Sequence, residues 1–365
     1  MSTYAYRLGP ITISLAGEGA VFGAVCDEVS VLPDGEAGEA DIRFSFVDQL
    51  EKPEQGRHIG DWILAPGVAM GTGHGYDFRI DRDSERFQVR IAVQGWQRAP
   101  YDRAVRAVDW NYLAPWETTA KNIMYDLFDL VTSAALLEKG ASCLHASTCC
   151  RQGEAVALIA WGGIGKTTSI LKLITEDGWR YLSDDLGLLD EDGVIHRTPK
   201  RLQVYAYNVE GQSALTDRLL EGRGPIDRLN WTLRRAGLGP KKVRRRVSAE
   251  ELFGPEAVGD HAPLKRALFL ERADVDEFRL QPLDREVLSH RAATILLDEL
   301  DTLVDLSISA ESHGIDCGIP GVAELRDRFA AIIDAGLHGV PSHRLQIPID
   351  AGPDALADAL RQHLD

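Results

Sequence analysis

A glycine-rich stretch, Ala160-Trp161-Gly162-Gly163-Ile164-Gly165, runs directly into Lys166-Thr167-Thr168. These residue types at this spacing suit phosphate chemistry. Glycines let backbone N–H groups converge on an anion, and a helix that follows directs its positive end to the same point. Lys166 has the reach for terminal phosphates, and the Thr167 hydroxyl can ligate Mg²⁺. Gly162, Gly163, Ile164, Gly165 and Thr168 would complete the cradle. The pattern G-x-x-x-x-G-K-[ST] fits from Gly165 onward; Ala160 stands where its first glycine belongs, and Gly162 and Gly163 can supply the flexibility instead. A glycine turn beside a coincidental Gly-Lys-Thr is the competing explanation.

Downstream, Trp179-Arg180-Tyr181-Leu182-Ser183 leads to Asp184-Asp185. An acid at the end of the strand after a phosphate loop usually holds Mg²⁺, directly or through water. One carboxylate suffices for that. A second, adjacent one suggests another task, such as general base toward a hydroxyl or a water. Two anions so close raise one pKa in the absence of a metal, and a bound cation reverses this. The alternative is that one of them forms a turn or caps a helix. His145 is weaker evidence, since a lone histidine is more often structural.

These groups need elements to carry them. Glu154 to Ala160 reads as an apolar strand, and the run after Lys166 as an amphipathic helix to Glu176. Cys143 to Cys149 is β-like and is joined to that strand by a Gln152-Gly153 turn, so the two should pair antiparallel and bring His145 to the edge of the phosphate site. Before it, Ile123, Leu127, Leu130, Ala134 and Leu137 mark a helix over 117–139, stopped by Gly140. Residues 1 to about 105 alternate as strands, with a hairpin through 81–85. Gly71, Gly73 and Gly75 read as a loop, and Trp96, Trp110 and Trp116 as core or packing residues. A second hairpin joins 186–189 to 193–196. Residues 208–262 read as an irregular lid or insertion. Strands at 267–271, 278–280 and 344–347 alternate with helical periodicity over 285–304 and 320–335, and a short helix closes the chain.

With 44% hydrophobic and 26% charged residues the chain is an ordinary globular sequence, long enough for a large core. No apolar run approaches the ~20 residues of a membrane span, and the amino terminus lacks a signal-peptide pattern, so a cytoplasmic protein without membrane partners is expected. The net charge of −16 argues against nucleic-acid partners. Against that background stands a basic run: Arg234, Arg235, Lys241, Lys242, Arg244, Arg245 and Arg246. It reads either as a solvated face or as a lid that offers arginines to a phosphoryl group. Arg201 is another candidate phosphate contact. The five cysteines lack metal spacing and read as small buried residues, with Cys149 and Cys150 facing opposite ways on a strand.

Leu144-His145-Ala146-Ser147, the loop 160–168 and Gly178 to Asp185 occur in that order and close together. In combination they resemble the catalytic domain of the HPr kinase/phosphorylase superfamily, closest in style to HPr-kinase-like proteins found with bacterial peptide-modification and other specialised clusters. The strong match covers roughly residues 140–200; Pro263 to Arg272 and the Tyr6-Arg7-Leu8-Gly9-Pro10 opening share the likeness. The resemblance implies an α/β fold with a mixed sheet, related to ATP-type phosphoenolpyruvate carboxykinase. On that basis residues 1–115 form a β-rich region and 116–365 a P-loop catalytic domain. It also implies Mg²⁺-ATP as donor and a seryl hydroxyl as acceptor. Lys166 would contact the β- and γ-phosphates and Thr167 would ligate Mg²⁺. Asp184 would be the base, Asp185 would bind metal or assist, and His145 would sit beside the carboxylates. Ala160 departs from the pattern, as does Gly162, where the bifunctional enzymes have serine. Their downstream signature has no counterpart here, which speaks against phosphorolysis and against HPr itself as the acceptor.

The function expected is therefore transfer of a γ-phosphate to a hydroxyl, first of a serine in a peptide or protein, alternatively of a free small molecule. A nucleotide-binding sensor or scaffold without transfer is the reading from another class. Self-association stays open.

Overall fold

The computed structural model describes residues 2–83, 86–94 and 113–364. Eight strands, β1 (Ser2–Leu8), β2 (Ile11–Gly17), β3 (Ile42–Val47), β4 (Arg57–Ile59), β5 (Trp62–Ala65), β6 (Val68–Gly73), β7 (Tyr76–Asp83) and β8 (Arg86–Val93), form one sheet in the order β1-β2-β3-β8-β7-β6-β5-β4. Alternation makes the strands: in β7, Tyr76, Phe78 and Ile80 turn inward while Asp77, Arg79 and Asp81 turn outward. The expected hairpin is present as the antiparallel β7–β8 pair. Among the described residues, an α-helix departs from the all-strand expectation. α1 (Ala20–Val29) links β2 to β3, which lie parallel and therefore need a crossover.

Gly71 and Gly73 lie in β6, not in a loop. A Cβ at Gly73 would come within 2.3 Å of the Tyr76 ring, and one at Gly71 within 2.8 Å of Phe78, so the strand needs glycine where aromatic rings cross it. Trp116 is 43% exposed instead of core; Trp96 and Trp110 lie outside the described residues.

The expected helix over 117–139 is a composite. α2 (Pro115–Asn122) starts on proline and is followed by a π turn, Ile123–Phe128, and then by α3 (Asp129–Glu138). Gly140, at φ 67°, turns the chain into the second sheet. That sheet opens with β9 (Ala141–Leu144), β10 (Ala146–Arg151) and β11 (Glu154–Ile159). After α4 (Lys166–Asp177) come β12 (Arg180–Ser183), β13 (Gly187–Asp190) and β14 (Val194–His196). A separate ribbon pairs β15 (Leu202–Tyr205) with β16 (Arg244–Val247); between and after them run α5 (Ser213–Leu219), α6 (Pro225–Leu238) and α7 (Ala249–Phe253). Residues 208–262 are thus largely helical, not irregular. β17 (His261–Ala273) and β18 (Arg279–Pro282) return to the sheet. The chain closes with α8 (Arg285–Glu299), α9 (Asp301–Ser312), α10 (Val322–Gly336), β19 (Ser342–Pro348) and α11 (Pro353–Leu364).

The order in the second sheet is β12-β10-β11-β17-β14-β13-β9, with β19 beside β17 and β18 beside β19. β11, β17 and β19 are parallel, whereas β10 is antiparallel to β11, as expected from the turn between them. The fold is mixed α/β. Cys149 and Cys150 lie on opposite faces of β10, one in each of two hydrophobic clusters, and all five cysteines are buried and free. Among the described residues, no helix is long and apolar enough to cross a membrane.

The basic run is only in part the solvated face read from its composition. Lys241 and Lys242 are exposed, but Arg245 and Arg246 are buried in β16. Arg245 pairs with Asp227 at 2.6 Å, Arg246 with Glu28 at 2.8 Å, and Arg244 donates to the Tyr205 hydroxyl at 2.7 Å. A strand of guanidinium groups folds inward because each one meets a carboxylate or a phenol.

Candidate functional site

β11 ends at Ile159, the glycine loop follows, and α4 begins at Lys166. Gly163 (φ 78°) and Gly165 (φ 114°) take left-handed backbone angles that glycine adopts without strain. Ala160 needs no such angle, and its methyl is fully buried in the core, so alanine is tolerated where the motif has glycine. The first turn of α4 aims its free N–H groups into the loop, which gives an anion a cradle.

Lys166 is almost wholly buried. Its ammonium donates to the carbonyls of Ala160 and Trp161 and lies 2.8 Å from His145 Nε2. Burial lowers its pKa, while Asp184, Asp185 and Glu299 pull the other way. His145 occupies the bend between β9 and β10. Burial, then the charges of Lys166 and Lys200, push its pKa down to about 3, so the ring is neutral. A neutral ring that accepts from an ammonium at Nε2 carries its proton on Nδ1. That atom lies 3.3 Å from Glu299 Oε1 at the end of α8, out of line for a hydrogen bond. His145 therefore meets the lysine and Glu299; it is the lysine's partner more than the carboxylates'.

Asp184, at the end of β12, accepts hydrogen bonds from two hydroxyls: Ser147 of β10 at Oδ1, and Thr167 of α4 at Oδ2, the latter at 2.9 Å. Burial and the neighbouring Asp185 raise its pKa to about 6, against the pull of those bonds and of Lys166. Asp185 differs in kind. It is half-buried, and its φ of 67° lies in the left-handed region. Asp and Asn are the non-glycine residues that tolerate such an angle best.

Beyond Asp185 lies a cluster that composition does not announce. Lys200 Nζ is 2.6 Å from Asp129 Oδ2 of α3 and 4.4 Å from the centre of the Tyr125 ring, on the π turn. Burial raises Asp129 to about 6. Burial alone would lower Lys200, but Asp129, Tyr125 and Asp185 together raise it. A buried, firmly charged lysine thus lies within electrostatic reach of Asp185. Arg201, the expected phosphate contact, instead lines a small cavity with Glu28, Arg223 and Arg246; its neighbour in sequence is the cation near the site. Glu299, Asp129 and Tyr125 carry no local signal, because each reaches the site from a helix distant in sequence.

Gly162, Gly163, Ile164, Gly165, Lys166, Thr167 and Thr168 thus surround one loop, with His145, Asp184 and Asp185 at its mouth. Thr168 accepts from Asn208 at 2.7 Å, so its hydroxyl faces the ribbon side and not the cradle. Chemically, the set offers a cation, two hydroxyl–carboxylate bonds and a second carboxylate that is partly open to solvent.

No protein-family model and no curated protein matches the chain. Among solved structures, the chain is similar to the HPr(Ser) kinase/phosphatase from Coxiella burnetii, with 13% identity and a TM-score of 0.29 over 61% of this chain and 96% of that one. A likeness at that level is too distant to assign a family or an activity.

Proposed function

We propose that the chain is a Mg²⁺-dependent phosphotransferase that takes the γ-phosphate of ATP and places it on a hydroxyl, in the first instance a serine of a peptide or protein. The observation that carries this reading is the hydrogen bond from Thr167 to Asp184, which ties the start of α4 to the acidic pair. A phosphate cradle alone would suit any anion; a cradle joined to two carboxylates suits a nucleotide with its metal and a reacting partner.

Mg²⁺ favours one or two carboxylates plus hydroxyl, water and phosphate oxygens. Thr167 and Asp184 fit that demand, and among the described residues no cluster of three or more His, Cys, Asp or Glu forms a self-sufficient metal site. The ion would depend on the nucleotide's own oxygens. When bound, it neutralises charge on the phosphates. The Thr167 bond supports placing Asp184 on the metal side, the reverse of the roles that the sequence resemblance implies. Asp185, half-buried and with neither hydroxyl attached, is then the base that accepts the acceptor's proton. Lys166 would leave its loop carbonyls for the phosphates, while neutral His145 keeps a hydrogen-bond acceptor, not a second cation, at its side. Lys200, held by Asp129, adds a buried positive charge near Asp185.

The reading is tested by incubating the protein with γ-labelled ATP, Mg²⁺ and a panel of seryl peptides, products of neighbouring genes and small hydroxyl compounds. Label should move to one of them. Lys166→Ala should weaken ATP binding at least about tenfold, because a charge-assisted contact is lost. If ATP neither binds nor is consumed in any mixture, the proposal fails. Ser147→Ala offers a finer check. It removes a bond that favours ionised Asp184, so the acid limb of the pH–rate profile should move to higher pH. An unmoved limb would show that Asp184 does not need its charge for turnover.

A further inference from the structure

Beside the glycine loop lies a cavity of about 650 Å³ that Lys166, His145, Asp184 and Asp185 do not line. Trp161 and Ile164 of the loop form one wall, Phe269 of β17 the floor, and His290, Arg291 and Ile295 of α8 the other wall. We propose that this cavity holds the nucleobase of the phosphate donor. The inference rests on the donor reading above and names the subsite that reading leaves blank.

Topology sets the place. Ile159, the last residue of β11, is registered with Phe269, so β17 continues past the point where β11 gives way to the loop. The crevice beyond the carboxyl ends of parallel strands is where open α/β sheets bind ligands. β12, which delivers Asp184 and Asp185, lies on the opposite side of β11, beyond β10. An acceptor must come to the carboxylates on that side. A nucleotide whose phosphates lie in the loop has its other end free to run toward β17.

The lining matches a flat heteroaromatic ring. Trp161 is 47% exposed in the glycine loop, an indole that leaves about half of its surface open beside the cavity. The Arg291 guanidinium lies 5.3 Å from the centre of the Phe269 ring, and is only loosely engaged by Glu271 at 3.7 Å. An indole and a guanidinium plane are both stacking surfaces for a base. Ile164 and Ile295 supply apolar edges, and Glu271, Thr294 and His290 supply polar groups at the rim. The volume lies within the roughly 300–1,000 Å³ typical of small-molecule sites.

Calorimetric titration of the full chain separates base from phosphates, using Mg²⁺-ATP and Mg²⁺-tripolyphosphate as ligands. Trp161→Ala removes a stacking face. Thr294→Trp, at an exposed position on α8, fills the cavity without touching the loop. Both variants should weaken ATP binding by about tenfold, the scale of one lost stacking contact, and leave tripolyphosphate binding unchanged. If ATP binding survives both substitutions, the cavity assignment falls while the donor reading stands. The assignment falls equally if only the acceptor's KM rises, since the cavity would then belong to the acceptor. If the parent protein binds neither ligand, the donor reading falls first and takes the subsite with it.

Discussion

An Asp185→Asn variant is expected to bind ATP within about twofold of the parent and to transfer its phosphate roughly 10²–10⁴ times more slowly, the usual contribution of a positioned general base. The substitution is conformationally mild. Asp185 sits at φ 67°, an angle that asparagine accepts as readily as aspartate, so the backbone has no reason to move. Single-turnover transfer of labelled phosphate, set beside calorimetric ATP binding, reads both quantities. Transfer at the parental rate would remove Asp185 from the role of base. A sensor that binds nucleotide without transfer would show no difference between the two proteins in either measurement.

Asp184→Asn should behave differently, and the difference separates the two acids. Its main effect should be a higher Mg²⁺ requirement. Its stability should also change sign with conditions. The carboxyl of Asp184 is raised from 3.8 to about 6 in the fold, so the native state binds this proton more tightly than the unfolded chain does. Stability is therefore lost as pH rises from about 4 to about 6, and the loss persists above that window. The asparagine variant escapes it. Without metal at neutral pH it should melt higher than the parent, below about pH 4 the gain should vanish, and Mg²⁺-nucleotide should restore the parent's advantage.

How far the sequence could lead depended on how local each feature was. The strand, glycine loop and helix from Glu154 to Glu176 are contiguous, and each part is marked by its own residue pattern, so they were legible. The β10–β11 pair was legible for the same reason, since Gln152-Gly153 lies between its strands. Asp184 and Asp185 stood out because two acids at a strand end are unusual. Lys200, Asp129, Tyr125 and Glu299 were not legible: each is one ordinary polar residue, and only the fold brings them to one place. Gly71 and Gly73 misled because glycine signals a turn in isolation, whereas here the crossing rings of Tyr76 and Phe78 require it. Arg244 to Arg246 misled because charge normally marks solvent, and a distant partner such as Glu28 cannot be read from spacing.

That last pair carries the largest stability effect. Arg246 of β16 donates to both carboxylate oxygens of Glu28 on α1, at 2.9 and 2.8 Å, and both side chains are buried. A bidentate pair out of water gains from geometry what it loses in desolvation, but either partner alone retains only the loss. Arg246→Met should therefore destabilise the protein by about 3–5 kcal/mol, because Glu28 stays buried without a counter-charge. Glu28→Leu should do the same from the other side. The double variant, with two apolar groups facing each other, should recover more than half of either loss, since neither charge is stranded. Urea unfolding of the parent, both single variants and the double variant gives the coupling directly. Single variants within about 0.5 kcal/mol of the parent, or losses that simply add, would mean that the pair is not an energetic unit. The consequence reaches the site. The Arg246 guanidinium lies 5.5 Å from the centre of the Tyr125 ring, the same ring over which Lys200 sits, and Gln203 donates to that tyrosine's hydroxyl at 2.8 Å. Stabilising the α1 contact therefore also fixes the aromatic platform beneath Lys200. The double variant should regain its fold before it regains full turnover, because two apolar groups restore packing without restoring the cation on that ring.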